Sequence, residues 1–221
     1  DATLQPSGAL PTCTAVAGCA ALSSQGAGYD VSGCSSVNAG DTCVVPCSAG
    51  YIHRLSYHQA TGFSCPAGNT DETVEPTAAV SLHACAEIVA CGALGSQGAA
   101  FDVSGCSSVS AGSSCNVSCA AGHVGASTSF SCPVDNIDDS SMPTGTLPSC
   151  APVVGCANLT DLGAALDVSQ CASVAAGDDC TVSCGPGYTG ASGSTFSCPS
   201  ENTDAALQPS GTIPTCTAIG G

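Results

Sequence analysis

The chain has 221 residues, of which 19 are cysteines, 17 are Asp or Glu, and only one, Arg54, is a Lys or Arg. The formal net charge of −16 argues against a nucleic-acid partner or an anionic membrane, because phosphate contacts require Lys and Arg side chains. So many cysteines indicate a disulfide scaffold, and we expect an extracellular or cell-surface protein. No apolar run approaches the roughly 20 residues of a membrane-spanning helix, so no membrane insertion is expected.

Zinc sites are the other common use of many cysteines, but they favour C-x2-C pairs. The chain has no such pair, and its closest cysteines form three C-x3-C pairs. Disulfides are therefore the predicted use of the cysteines.

The first segment, residues 1–18, is related to the other end of the chain. DATLQPSGALPTC at 1–13 nearly repeats DAALQPSGTIPTC at 204–216. We predict that residues 1–18 are the tail of a preceding repeat plus a linker. Cys13 is then the odd cysteine, bonded to a cysteine outside residues 1–221, in an upstream repeat or another copy of the chain. The alternatives are a vestigial extension with a free thiol, or a local bridge to Cys19.

Three sets of six cysteines follow, each beginning with the spacing C-x14-C-x8-C-x3-C. Shared D-V-S and F-S-C-P-x-x-N-x-D motifs accompany them. Such self-similarity is typical of a tandem array. We predict repeat 1 at 19–85, a linker at 86–90, repeat 2 at 91–150, a linker at 151–155, repeat 3 at 156–216, and at 217–221 the start of a linker to a further repeat.

Each predicted repeat reads as short β-strands separated by Gly, Pro, Ser and Asn. No stretch keeps an amphipathic helical period over more than two turns. A repeat of 60–67 residues buries little core, so three disulfides would supply most of its stability. The predicted fold is all-β: small disulfide-rich modules that contact only their neighbours and form an elongated rod.

Three features found among the repeats resemble the sushi, or complement control protein, module. In repeat 3 they are the C-x-x-G-Y motif at Cys184–Tyr188, the aromatic residue in Phe196–Cys198, and the P-x-C ending at Pro214–Cys216. Similar cysteine-rich tandem repeats occur in predicted secreted proteins of marine protists such as dinoflagellates. The resemblance implies three tandem sushi-like repeats.

The resemblance also implies a disulfide pairing, which the sequence alone leaves open among fifteen connectivities per repeat. Sushi pairing joins Cys19–Cys65 and Cys47–Cys85 in repeat 1, and the two additional cysteines become Cys34–Cys43. In the other repeats the implied pairs are Cys91–Cys132, Cys119–Cys150, Cys106–Cys115, Cys156–Cys198, Cys184–Cys216 and Cys171–Cys180.

Repeat 1 is longer than the others near 51–63, where it holds the only Arg, two of the four His and two of the four Tyr. Because Tyr and Arg are enriched at binding hot spots, we predict an interaction surface for a neighbouring strand, a glycan or an acidic surface. The alternative is a longer hairpin that only packs against the adjacent repeat. The surface comprises Tyr51, His53, Arg54, Tyr57 and His58.

Six recurring aspartates are weak calcium candidates, and no other metal or cofactor is expected. The favoured reading is that they form Asx-turns, since calcium usually needs several carboxylates. Two sequons predict N-glycosylation at Asn116 and Asn158, although a chain rich in Ser and Thr produces N-x-S/T by chance. The aspartates are Asp30, Asp102 and Asp167 in D-V-S, and Asp71, Asp138 and Asp204 in N-x-D.

The sequence contains no recognisable catalytic constellation, and without Lys it has no phosphate-binding loop of the P-loop type. We therefore expect a protein without enzymatic activity. The predicted function is that of an extracellular structural protein, a disulfide-stapled rod in a filament, surface coat or matrix. Its partners would be further copies or further repeats of itself. The alternative is adhesion, or binding of a glycan or protein, through repeat 1.

Overall fold

A computed structural model of the chain describes residues 8, 9, 11–55, 59–160 and 162–220. Its regular elements are short β-strands and three single turns of 3-10 helix, which confirms the all-β prediction. Within these residues, no helix has the length and apolar character needed to cross a membrane. The strands are β1 (Thr42–Val45), β2 (Tyr51–His53), β3 (Thr61–Ser64), β4 (Thr77–Ala78), β5 (Cys85–Glu87), β6 (Phe101–Asp102), β7 (Ser114–Cys119), β8 (His123–Val124), β9 (Thr128–Ser131), β10 (Thr144–Gly145), β11 (Ala151–Pro152), β12 (Leu166–Asp167), β13 (Asp179–Cys184), β14 (Tyr188–Gly190), β15 (Ser194–Ser197), β16 (Ser210–Gly211) and β17 (Cys216–Ala218).

The chain forms two compact units. The first comprises Asp1–Ala90 and Val134–Asp139, and the second comprises Cys91–Pro133 and Ser140–Gly221. Predicted repeat 1 therefore lies in the first unit and predicted repeat 3 in the second. Predicted repeat 2 contributes its N-x-D loop to the first unit and the rest of its residues to the second.

Each predicted repeat contains an antiparallel sheet centred on one pair of strands, β1 and β3, β7 and β9, or β13 and β15. In the first unit the strand order is β1-β3-β4, and in the second it is β10-β9-β7-β6 and β12-β13-β15-β16. Cys43 lies opposite Phe63 in the first of these sheets, and cysteine faces phenylalanine at the same place in the other two. Side chains alternate between buried and exposed along β1, as expected of a strand with one covered face.

The cores are small and made largely of sulfur. Of the 23 buried hydrophobic residues in the described part of the chain, 11 are cysteines. The fully buried aliphatic residues at the sheet centres are Val45, Val117 and Val182, and each sheet has one buried Phe. Because side-chain packing alone is this limited, cross-links must supply much of the stability.

The structure contains nine disulfides, and they join the cysteines in the same pairs that the sushi resemblance implies. Cys13 is exposed and is the one cysteine without a disulfide. Two bonds in each set involve buried cysteines, whereas the bond from the fourth to the sixth cysteine of the set is only half-buried on both sides. The half-buried bonds are Cys47–Cys85, Cys119–Cys150 and Cys184–Cys216; the others are Cys19–Cys65, Cys34–Cys43, Cys91–Cys132, Cys106–Cys115, Cys156–Cys198 and Cys171–Cys180.

Candidate functional site

The segment that follows each closing cysteine pairs as a strand with the predicted repeat before it. β5 pairs with β2, β11 with β8, and β17 with β14, all antiparallel. One more backbone bond extends each pairing, such as that from Ile88 N–H to the carbonyl of Gly50 at 2.7 Å. The first part of each linker therefore belongs structurally to the preceding repeat.

The next one or two linker residues are bound by a buried asparagine of the N-x-D motif, 47–52 residues further along the chain. Asn202, only 5 % exposed, donates from Nδ2 to the carbonyls of Val154 at 3.1 Å and Gly155 at 3.3 Å. The backbone carbonyl of Asn202 accepts a hydrogen bond from Val154 N–H at 2.8 Å. We call this arrangement the asparagine clamp. The equivalent clamps join Asn69 to Ala17 and Gly18, and Asn136 to Val89.

Each clamping side chain is oriented by its own turn. Asp204 N–H donates to Asn202 Oδ1 at 3.0 Å, while Asn202 Nδ2 also donates to the Asp204 carbonyl at 3.1 Å. The side chain thus meets the linker already fixed, so binding the linker costs little rotamer entropy. From the sequence, the aspartate of the N-x-D motif was predicted to be the important residue. The binding role of the asparagine was not predicted.

A cleft lies beside a clamp in each unit. In the first unit a cleft of about 440 Å³ is lined by Arg54, Leu55, Ala84 and Ile137. In the second, one of about 670 Å³ has His123, Glu201 and Thr203 in its lining. Ile137 and Thr203 occupy the same N-x-D position, so the two clefts are equivalent in the fold but differ in charge. Both volumes fall within the range of small-molecule sites.

The structure places three of the five residues of the predicted interaction surface, since Tyr57 and His58 lie outside the described residues. Tyr51 and His53 are half-buried on β2, and Arg54 is exposed at the strand end. Only Arg54 lines the cleft of the first unit. His53 instead points toward a disulfide, with Nδ1 3.4 Å from Cys47 Sγ.

Sequence analysis missed a second histidine at this place. The ring of His83 lies edge-on to that of His53, with centroids 6.3 Å apart, and Nδ1 of His83 donates to the carbonyl of Gln59 at 2.8 Å. The signal was present in the sequence, because repeat 1 ends in His83-Ala84-Cys85 where the other repeats end in P-x-C.

The recurring aspartates cap their own turns. Oδ1 of Asp30 accepts from Ser32 N–H at 2.9 Å, and Asp102 and Asp167 do the same with Ser104 and Ser169. The hydroxyl and the backbone N–H of Ser32 together lower the pKa of Asp30. Thr73 lowers the pKa of Asp71 in the same way, through its hydroxyl and then its N–H. Oδ1 of Asp204 accepts from Ala206 N–H at 2.8 Å.

Among the described residues, ligand atoms of three metal-binding side chains come within 4.8 Å of one another at one place, formed by Cys47, His53 and Cys85. None of the six recurring aspartates, Asp138 included, belongs to this group. Calcium binding by these aspartates stays a prediction. The two sequon residues, Asn116 on β7 and Asn158 in a loop, are exposed, and their glycosylation also stays a prediction.

Comparison of the chain with protein-family models and with curated proteins finds no match. The sushi resemblance therefore rests on the residues of this chain alone.

Proposed function

We propose that the protein is an extracellular structural repeat protein, in which three sushi-like repeats between residues 19 and 216 form part of a rod in a filament, coat or matrix. The observation that carries this proposal is the joint. Each linker is a strand of the repeat before it and is clamped by an asparagine of the repeat after it. A linker hydrogen-bonded along its length is stiff, unlike a flexible tether, and stiff joints make tandem modules extend.

The segment before repeat 1 supports the proposal because it has one half of a joint. Asn69 clamps Ala17 and Gly18, as in the other joints. The strand half, residues 14–16, is paired with no strand in the described part of the chain, and Val16 is 64 % exposed. An upstream repeat would supply a strand equivalent to β14 for this segment, and a cysteine equivalent to Cys184 for Cys13.

The nine disulfides limit which covalent bonds could join two separate copies of the chain. Cys184, the cysteine type that Cys13 would require, is already bonded to Cys216, and Cys13 is the one unpaired cysteine. A covalent bond between two intact copies would therefore be Cys13–Cys13. Such a bond is symmetric and stops at a dimer, whereas an open filament needs a head-to-tail contact. We therefore favour an array within one polypeptide over copies bonded end to end.

Negative-stain microscopy of native material tests the proposal, with rods or fibres as the expected result. Asn136→Asp and Asn202→Asp remove the donors of two clamps and keep every cysteine, and should turn straight particles into bent ones. Asn38→Asp is the matched control, because Asn38 is exposed and its side-chain amide donates to Asp41, within its own turn, and not to a linker. Compact monomers in native material, or variants as straight as the control, would contradict a structural role for the joints.

The second candidate function is adhesion through repeat 1, and the cleft of the first unit favours it. Its lining contains Arg54, the only Lys or Arg of the chain, beside the partly exposed side chains of Leu55 and Ile137. This combination suits an acidic ligand with an apolar part, such as a carboxylated glycan. A soluble monomer that binds acidic sugars on a glycan array, and loses that binding in Arg54→Gln, would favour adhesion over the structural function.

A further inference from the structure

His53 and His83 replace two residues that the other predicted repeats share. Six residues after the fourth cysteine, repeat 1 has His53 where the others have glycine, and two residues before the last cysteine it has His83 where the others have proline. The two replacements meet in space, with ring centroids 6.3 Å apart. Paired changes at two facing positions indicate a local function. The equivalent residues are Gly125 and Gly190, and Pro148 and Pro214.

The glycines show where a side chain at this position points. A Cβ added to Gly125 would meet the carbonyl of Ser149 and lie 3.0 Å from Cys119 Sγ; one added to Gly190 would lie 2.9 Å from Cys184 Sγ. The position therefore faces the half-buried disulfide of its repeat. His53 fills this direction in repeat 1, and its Nδ1 contacts Cys47 Sγ at 3.4 Å.

We propose that reduction of the Cys47–Cys85 disulfide creates a binding site for a borderline divalent metal of the Zn²⁺ type. Cys47, Cys85 and His53 are the ligands, and His83 is the fourth. The first three already have their ligand atoms within 4.8 Å of one another, and all four residues are half-buried.

The reductant is a dithiol, which supplies two electrons and two protons. One of its thiolates attacks Sγ of Cys85, the S–S bond breaks, and the electron pair remains on Sγ of Cys47. The second sulfur of the dithiol then attacks the first, which releases Cys85. The dithiol leaves as a cyclic disulfide, and both cysteines become free thiols. Zn²⁺ binds the two as thiolates and releases their two protons. The other disulfides of repeat 1 are buried, so they keep the core closed.

The geometry and the ligand chemistry both favour zinc. A tetrahedral zinc holds sulfur at about 2.3 Å and nitrogen at about 2.0–2.1 Å, which places two ligating imidazole centroids roughly 5 Å apart. The rings of His53 and His83 need to approach by little more than 1 Å from their 6.3 Å separation. Thiolate and imidazole select zinc over calcium and magnesium, which prefer oxygen. The metal would also restore a cross-link between β2, which holds His53, and β5, which holds Cys85.

The test uses the full chain, with Cys13 alkylated first under native conditions. Limiting dithiothreitol is added together with Co²⁺, whose absorption reports tetrahedral thiolate ligation. We expect one Co²⁺ per chain, displaced by Zn²⁺, and metal protection of Cys47 and Cys85 from alkylation. The half-buried pairs Cys119–Cys150 and Cys184–Cys216 are internal controls, because they lack the histidines and should be alkylated with or without metal.

His53→Gly restores the residue of the other repeats and should weaken cobalt binding roughly 10–100-fold or more, as should His83→Pro. His53→Gln keeps the size of the side chain and covers the case in which the glycine variant misfolds. His123→Gly removes a histidine of the second unit and should leave binding unchanged. Equal cobalt affinity of the unreduced chain, protection of a different cysteine pair, or undiminished binding by the His53 variants would overturn the proposal.

Discussion

Asn202→Asp perturbs one asparagine clamp without changing the shape of the side chain. Nδ2 of Asn202 donates to the carbonyls of Val154, Gly155 and Asp204. An aspartate has no donor at this place and would set a carboxylate oxygen against three carbonyl oxygens, at a position only 5 % exposed in the native chain.

The expected loss follows from the bonds that are broken. A typical intramolecular hydrogen bond contributes about 1 kcal/mol net, so losing all three costs roughly 3 kcal/mol. Asn202→Ala also loses the bond that Asp204 N–H donates to Asn202 Oδ1, so it should cost roughly 4 kcal/mol. Asn202→Asp should cost more, because it also buries a charge without a partner. For Asn38→Asp, on the exposed surface, we expect a change within about 0.5 kcal/mol.

Two measurements with the disulfides intact report this loss. Denaturant unfolding gives the change in free energy of unfolding. Hydrogen exchange of the Val154 amide, which donates to the carbonyl of Asn202 at 2.8 Å, reports opening of the joint itself. A loss of roughly 3 kcal/mol would speed that exchange on the order of 100-fold. If the aspartate variant unfolds within about 0.5 kcal/mol of the native chain, with unchanged protection of Val154, the clamp does not stabilise the joint.

Three further predictions concern glycine, acid and salt, and a fourth concerns Cys13. Gly190→Ala should destabilise the second unit by about 1–3 kcal/mol in denaturant unfolding, because its Cβ would meet the Thr215 carbonyl; Gly95→Ala, with no neighbour within 4 Å, is the control and should cost far less. The pKa of Asp30 is lowered in the folded chain, so its contribution is present above about pH 4 and is lost as the pH falls through the folded value; the stability difference from Asp30→Asn should shrink over that range in thermal melts, and a constant difference would contradict the turn. With a net charge of −16, the melting temperature should rise with added salt or calcium, and equal melting in low and high salt would count against this. Alkylation of residues 1–221 produced on their own should modify one cysteine, Cys13, whereas Cys13 of native material should be bonded and resist alkylation; peptide mapping that finds it bonded to Cys19 would contradict the proposed joint.

Most of the fold can be predicted from the spacing of the cysteines. The D-V-S and F-S-C motifs recur at fixed distances from the cysteines, so the sequence alone predicts strands and cross-links. The asparagine clamp could not be predicted, because its partners are backbone carbonyls 47–52 residues away in sequence. A linker that is bound through its backbone needs no particular side chain, and the clamped residues accordingly differ: Ala17 and Gly18, Val89, and Val154 and Gly155.

The proximity of His53 and His83 could not be predicted from the sequence for a related reason. His53 and His83 are 30 residues apart in sequence, and they meet because β2 pairs with β5, which places His53 opposite Cys85. Sequence analysis grouped His53 with its chain neighbours Tyr51 and Arg54. Antiparallel pairing instead brings His53 next to Cys85 of β5. Strand register is specified by contacts between segments, which the sequence of one segment does not show.

The two bonding partners of each linker explain why its length is constant. Five residues separate every closing cysteine from the first cysteine of the next set. At 86–90 and 151–155 the first three follow the strand of the preceding repeat, and the fourth, Val89 or Val154, bonds to the clamp. A linker one residue longer or shorter would turn its side chains to the opposite face of the strand or carry its carbonyls past the asparagine. The third linker residue is always Val or Ile. Ile88 and Val153, with predicted repeats on both sides, are half-buried, whereas Val16 and Ile219 are 64 % and 62 % exposed. The β-branched linker residue is therefore half-buried where a predicted repeat lies on either side, so residues from both sides of the joint contribute to covering it.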